Sequence, residues 1–170
     1  MIFVGVEGKS DRAFAQLLQR CCEDAGLHLH LDVKPATGGD TVSVVEEAGR
    51  RIARHPGRRF FTGQVVLLDR DRLDRDRENG RDALITAAKW RLEVVFQEPN
   101  LEGLFLRLHP GCEQRRPTAR ESLQELRRVW PEYNKPPTAD ELVQRFGLSD
   151  VRRAARHDDE LRRLLRLLGL

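Results

Sequence analysis

Acidic residues follow two apolar segments of the sequence, at the positions where a strand would end. Glu7 comes directly after IFVGV (2–6), and Asp69 and Asp71 come directly after QVVLL (64–68). In open parallel sheets, ligands bind at the carboxyl ends of the strands, near the point where the strand order reverses. If the first and third strands are neighbours, we expect these three carboxylates to converge.

Converging carboxylates would create a site for a cation. In an extended chain, side chains i and i+2 point the same way, so Asp69 and Asp71 would face the same point. Three carboxylates cannot all stay ionised there without a cation, because like charges raise one another's pKa. Mg²⁺ is the expected cofactor, since it prefers oxygen ligands, and Mn²⁺ could substitute for it. Glu7 could be a ligand or a general base, and the sequence does not decide between them.

Basic residues lie close to both acidic segments. Lys9 could neutralise charge on a bound phosphate. Arg70, Arg72 and Arg75 could contact a nucleic-acid backbone beside the metal, because the planar guanidinium group suits phosphate. The alternative is that this charged run is only a solvated face of the protein, which is the commoner role of such runs.

The composition argues against several classes of protein. No apolar run approaches the roughly 18 residues of a membrane span, and no basic region precedes the first apolar run, so we expect neither a membrane segment nor a signal peptide. Cys21 and Cys22 are adjacent and Cys112 stands alone. The absence of a C-x-x-C pair argues against structural zinc and a disulfide framework, and we expect a cytoplasmic location.

The first 111 residues alternate between strand and helix patterns. Strands are predicted at 2–6, 28–33, 64–68 and 92–96, helices at 9–25, 43–55 and 100–109, and a turn at 36–40. The strongly charged segment 70–82 is expected to form a loop and the start of a helix that continues over 83–91. Ser43 and Glu46 form a possible capping box for the second helix. This order predicts an α/β fold, with a mainly parallel four-stranded sheet that carries helices on both faces.

From residue 112 onward the patterns predict helices alone. Thr118 with Glu121 and Thr138 with Glu141 form capping boxes, a linker is expected at 131–137, and the last helix is predicted over 149–170. We therefore predict a domain at 1–111 and a helical C-terminal extension at 112–170. The apolar side of the last helix is broad, so it must cover the core or dock elsewhere, and we favour a homodimer or a partner complex.

The acidic motifs resemble those of a known family. VEGKSD (6–11) and, about sixty residues later, VVLLDRD (65–71) are similar to the TOPRIM domain of topoisomerases, bacterial primases, small maturases and OLD-type nucleases. The resemblance implies a Rossmann-like fold over residues 1–111, with a Mg²⁺ site at Glu7, Asp69 and Asp71. In the OLD-type branch a second acidic residue follows the glutamate by four positions, which implies that Asp11 is also a ligand. On a helix Asp11 would share a face with Glu7, but it could equally pair with the helix dipole.

A second segment is similar to RloB-like proteins, which are small TOPRIM proteins often linked with ATPases in defence systems. In EPNLEGLFLRLHPG (98–111) an asparagine next to a proline, and then an acidic residue, open an apolar helix that ends in histidine. Here the proline precedes Asn100 instead of following it. The resemblance implies that Glu102 could be a further metal ligand, with a plain acidic residue at a helix start as the alternative. His109 could touch phosphate, but it could equally pair with the helix dipole.

Together these features predict a Mg²⁺-dependent nuclease that acts on DNA or RNA. Glu7, Asp69 and Asp71 would carry the catalysis with Lys9. The resemblance implies a role as the effector of an anti-phage defence system, with an ATPase partner. Two alternatives stay open, a TOPRIM ribonuclease that acts on structured RNA and a non-catalytic subunit of a larger complex. Tyr133, the only tyrosine, falls in the predicted linker outside the domain, so we do not expect a tyrosine nucleophile.

Overall fold

Strands and helices alternate over the first two thirds of the chain, and helices alone follow. The computed structural model describes residues 1–36 and 39–170. The strands are β1 (Ile2–Val6), β2 (Leu31–Pro35), β3 (Gly63–Asp69) and β4 (Glu93–Gln97). The helices before residue 112 are α1 (Lys9–Asp24), α2 (Thr41–Arg54), α3 (Arg70–Glu78), α4 (Ala83–Trp90) and α5 (Leu101–Leu108). The later helices are α6 (Ala119–Val129), α7 (Ala139–Arg145), α8 (Leu148–Ala155) and α9 (Asp159–Leu168).

The sheet has the order β2-β1-β3-β4, and all of its neighbouring strands are parallel. Alternate side chains of a strand point to opposite faces. Val65 and Leu67 of β3 accordingly join one apolar cluster with α1 and α5, whereas Val66 and Leu68 join a second cluster with α2 and α4. The predicted α/β fold, with helices on both faces of a parallel sheet, is confirmed, and so is the pairing of the first and third strands.

Some predicted boundaries in the first part of the chain are wrong. The segment 70–82, predicted as a loop and the start of the helix over 83–91, instead contains a separate helix, α3. The two helices are separate because Gly80 adopts a positive φ of 74° and Asp82 caps α4 by accepting the N–H of Leu84. The predicted capping box at residue 43 is also wrong, because Asp40 caps α2 by accepting the N–H of Ser43. The second strand begins at residue 31 instead of 28. The predicted turn at 36–40 falls partly outside the described residues.

The helices predicted after residue 112 are confirmed, with one difference. Both predicted capping boxes begin helices, α6 and α7. The segment 149–170 is not one helix, because the chain breaks between α8 and α9. Asp158 begins α9 there, accepting the N–H of Leu161 and binding the buried Arg107 of α5 at 2.6 Å. This buried ion pair therefore attaches the start of α9 to α5, which belongs to the part of the chain that forms the sheet.

The C-terminal extension shares the core of the first 111 residues. Leu161, Leu165 and Leu168 are buried in the same cluster as side chains of α1 and α5. The broad apolar side of the tail is therefore covered by the chain itself, which removes the reason given for expecting a homodimer. Tyr133, in the predicted linker, is only 2% exposed. None of the helices among residues 1–36 and 39–170 is both long and apolar enough to cross a membrane.

Candidate acidic active site

The candidate site lies where three neighbouring strands end. Glu7 follows the last residue of β1, Asp69 is the last residue of β3, and Gln97 is the last residue of β4. Asp69 and Gln97 are partners in the register between their strands. Because β1 and β3 are parallel neighbours, Glu7 and Asp69 lie at the same edge of the sheet, as the sequence predicts.

A pocket of about 380 Å³ opens at this edge. Four of the predicted metal ligands line it, namely Glu7, Asp11, Asp69 and Glu102. Three basic side chains line it as well, Lys9, Arg72 and Lys135. The pocket thus combines oxygen donors for a cation with positive groups that suit a phosphate.

Asp69 is the most strongly perturbed of the acidic residues. Burial raises its pKa to about 8, and repulsion from Asp11, Asp71 and Glu102 adds to the effect. One hydrogen bond opposes the shift, because the N–H of Leu101, at the start of α5, donates to Asp69 Oδ1 at 2.9 Å. At neutral pH Asp69 therefore tends to hold a proton in the absence of a bound cation.

Asp11 lies at the start of α1, at the edge of the acidic pocket. Its Oδ2 accepts the N–H of Gly8 at 3.1 Å, which caps the start of α1. It also lines the acidic pocket. Burial raises its pKa, and the nearby Gln97 carboxamide opposes this rise by favouring the charged form.

Asp71 lies outside the pocket. The chain turns into α3 at Arg70, directly after Asp69, so the alternation of an extended strand does not apply to Asp71. Its carboxylate accepts from Arg75 Nη2 at 3.1 Å, and both side chains line a separate depression together with Arg120. Burial raises the pKa of Asp71, whereas Arg75 lowers it.

Two of the carboxylates are bound by basic side chains. Arg72 forms an ion pair with Glu7. Lys135, from the C-terminal extension, places its Nζ 2.7 Å from Glu102 Oε1. The hydroxyl of Tyr133 donates to the same oxygen at 3.2 Å, and burial raises the pKa of this tyrosine, so it stays protonated.

The remaining predicted residues are placed differently. Lys9 is exposed at the pocket, whereas the Arg70 guanidinium stacks 3.6 Å from the centre of the Phe96 ring. His109 is buried, and its ring packs 4.9 Å from that of Phe146. Arg70 and His109 are absent from the residues that line the acidic pocket.

The acidic side chains of the pocket meet only part of what a metal ion requires. Among residues 1–36 and 39–170, no three Asp, Glu, His or Cys side chains are arranged so that they could hold one. The donor set nevertheless consists of oxygens, which Mg²⁺ prefers. Both polar atoms of the Gln97 carboxamide are buried and have no hydrogen-bond partner. The donor chemistry suits an oxygen-ligated cation, but in this arrangement Arg72 and Lys135 occupy the carboxylates of Glu7 and Glu102.

Sequence reasoning missed three residues of this region. Gln97 ends the fourth strand, so the strand-end rule that selected Glu7 and Asp69 could have found it. Tyr133 and Lys135 carry no such signal, because only the packing of the extension against α5 brings them to Glu102.

Comparison with known proteins finds no matching family model, no matching curated protein and no matching solved structure. The resemblance to TOPRIM domains therefore rests on the two acidic motifs, and the resemblance to RloB-like proteins rests on the segment at 98–111. Both remain predictions.

Proposed function

We propose that this protein is a Mg²⁺-dependent nuclease with a TOPRIM domain of the OLD-type or RloB-like branch, and that it hydrolyses phosphodiester bonds of DNA or RNA. One observation carries the proposal: the carboxylates of Glu7, Asp11, Asp69 and Glu102 line a single pocket at the carboxyl edge of a parallel sheet. Ligand sites of such sheets collect at this edge.

The carboxylates of the pocket would hold the cation. When bound, Mg²⁺ would supply positive charge to the scissile phosphate and a water of lowered pKa. Asp69 and Asp11 are the ligands in this proposal, and Glu7 is a ligand or the general base. Asp71, at the neighbouring depression, would join the ligands only if the start of α3 moved.

The basic side chains have a second role. Arg72 and Lys135 neutralise Glu7 and Glu102 in the described arrangement. Once these carboxylates turn to a cation, the two side chains are free to contact phosphates of the substrate. Lys9 is exposed and can contact a phosphate without breaking an ion pair. Arg75 and Arg120 extend the basic surface past Asp71.

The wider role that we propose is that of an effector in an anti-phage defence system, working with an ATPase. Only the resemblance of residues 98–111 to RloB-like proteins supports this part of the proposal.

A second candidate function is a non-catalytic subunit that uses the fold for assembly. The ion pairs at Glu7 and Glu102, and the absence of a ready group of three metal-binding side chains among the described residues, favour this candidate.

A cleavage panel separates the candidates. Plasmid DNA, single-stranded DNA, ribosomal RNA and transfer RNA would each be incubated with the full chain and Mg²⁺, Mn²⁺ or EDTA. The nuclease proposal expects cleavage that requires a metal and is lost in Asp69→Asn. Asp24→Asn is the matched control, because Asp24 ends α1, the helix that starts at the pocket. Cleavage confined to structured RNA would establish the ribonuclease alternative, and no cleavage of any substrate would favour the non-catalytic subunit.

A further inference from the structure

The end of β4 carries a buried side chain that has no hydrogen-bond partner. Gln97 is 2% exposed, and neither Oε1 nor Nε2 of its carboxamide is bound to another protein group. Buried side-chain amides are normally hydrogen-bonded. Among the described residues, Gln97 is the one side chain with two such atoms, whereas Arg107 and His109 each have one.

The position of Gln97 connects it to the acidic pocket. It is the register partner of Asp69 on the neighbouring strand. Its carboxamide also lies beside Asp11, close enough to favour the charged form of that carboxylate, although the pair does not reach hydrogen-bond geometry. Asp11 and Asp69 both line the pocket. The Gln97 carboxamide, which has unused hydrogen-bonding capacity, thus lies next to Asp11 and Asp69, two of the proposed ligands.

An amide side chain can supply a hydrogen-bond donor at the end of β4, which an ionised carboxylate cannot. Its N–H can donate to an ionised carboxylate without adding negative charge to the four acidic residues of the pocket. The Oδ2 of Asp11 already accepts from Gly8. A second donor would fix the orientation of the carboxylate, as the outer partners of metal ligands generally do.

We propose that Gln97 is a positioning residue of the acidic pocket: its carboxamide N–H, which has no partner in the described arrangement, donates to the Asp11 carboxylate when a divalent cation is bound, so that Asp11 and Asp69 can share that cation. This inference rests on the proposed function in that it requires the pocket to bind a divalent cation. Gln97 touches neither the substrate nor the cation and acts through Asp11.

A positioning role and a packing role predict different results for Gln97→Met, which keeps the length of the side chain and removes its polar atoms. Burying polar atoms without a hydrogen-bond partner costs free energy, so replacing the Gln97 carboxamide with an apolar group should leave the metal-free Tm unchanged or raise it. Removing the outer partner of a metal ligand typically weakens metal affinity by about 10- to 100-fold. Unchanged stability with weaker Mn²⁺ binding is therefore specific to the positioning role.

The test is Mn²⁺ titration of the full chain by isothermal calorimetry, with the metal-free Tm measured on the same samples. His109→Phe is the matched control, because His109 is also buried with an unpartnered nitrogen, but the charged groups near it, Arg145, Asp150 and Arg153, are not those of the pocket. We expect Gln97→Met to raise the Kd for Mn²⁺ at least fivefold, and His109→Phe to leave it unchanged. If Gln97→Met fails to fold, Gln97→Leu is titrated in its place with the same threshold.

The outcomes distinguish this inference from the proposed function. If wild type binds Mn²⁺ and Gln97→Met binds it within fivefold, the inference is overturned and the proposed function stands. An equal loss of affinity in His109→Phe also overturns the inference, because the effect would then come from general loosening of the core. If wild type does not bind Mn²⁺, the proposed function fails, and the inference fails with it.

Discussion

Lys135 places its ammonium group 2.7 Å from the Glu102 carboxylate, so the C-terminal extension contributes a cation to a pocket that the first 111 residues build. Glu102 is nearly buried, whereas Lys135 is more than half exposed. The Lys135 side chain can therefore move away into solvent, whereas the Glu102 carboxylate stays buried at the pocket. If the pocket binds a divalent cation, as proposed, the cation would have to compete with Lys135 for this oxygen of Glu102.

The first prediction follows from this competition. Lys135→Gln should bind Mn²⁺ more tightly than wild type, because the substitution removes a positive charge from the pocket. The gain should be at most about fivefold, because water reaches the ammonium group of Lys135 and a solvated ion pair contributes at most about 1 kcal/mol. Isothermal titration of the full chain measures it. Lys135→Arg, which keeps the charge, is the control and should bind Mn²⁺ like wild type. Weaker binding by Lys135→Gln would show instead that Lys135 supports the metal site.

The second prediction concerns the stability of the metal-free protein. The pKa of Asp69 is raised from 3.8 to about 8 in the folded chain, so the folded state retains a proton that the unfolded state loses. This effect should decrease stability as pH rises from about 4 to about 8. Asp69→Asn cannot ionise and should melt about 3–6 °C higher than wild type at pH 7.5 in EDTA. It should show no such gain at pH 4.

Thermal melting across this pH range checks the second prediction. Asp24→Asn, at the far end of α1, should melt like wild type at both pH values. A large loss of stability in Asp69→Asn would mean that its hydrogen bond with the N–H of Leu101 outweighs the cost of the buried charge.

The sequence predicts the part of the site that depends on local pattern. The apolar runs before Glu7 and Asp69 define buried strands, and in a parallel sheet their ends must meet at one edge. The placement of Asp71 depends on whether the chain stays extended after β3, and the sequence does not show that α3 begins at Arg70. Lys135 reaches the pocket because the C-terminal extension packs against α5. The spacing of apolar residues along the sequence does not predict such a contact between distant segments.

The third prediction uses His109, whose ring packs against the aromatic side chains of Trp130 and Phe146. Burial lowers its pKa from 6.5 to about 4. Of the charged groups near it, Arg145 and Arg153 lower the pKa further and Asp150 raises it. The unfolded chain therefore binds a proton at a pH where the folded chain does not, and stability should decrease as pH falls from about 6.5 to 4.

His109→Phe removes this titration. Between pH 7 and pH 4.5, the free energy of unfolding of His109→Phe should therefore fall by less than that of wild type. The difference should be at most about 3 kcal/mol, which corresponds to the lowering of the His109 pKa. Urea denaturation of both proteins at pH 7 and at pH 4.5 measures this difference. The other titrating groups are the same in the two proteins, so their contributions cancel. An equal effect of acid on both proteins would contradict a buried, neutral His109.

The fourth prediction compares two aspartates that each cap a helix and bind an arginine. Asp158 caps α9 and pairs with Arg107, and both side chains are buried. Asp82 caps α4 and pairs with Arg77, and both are partly exposed. Asparagine caps a helix about as well as aspartate, so Asp→Asn removes the charge at either position and keeps the cap. The two substitutions therefore differ in the burial of the arginine that is left without its partner.

Asp158→Asn should lower the free energy of unfolding by about 3–5 kcal/mol, because it leaves the guanidinium of Arg107 buried without a counter-charge. Asp82→Asn should lower it by less than about 1 kcal/mol, since water can solvate Arg77. Urea denaturation of both variants beside wild type measures the difference. Similar small losses in the two variants would mean that water reaches Arg107, and hence that α9 opens readily from α5. A large loss confined to Asp158→Asn would show that this ion pair holds α9 on the core that also carries Tyr133, and so supports the acidic pocket from a distance.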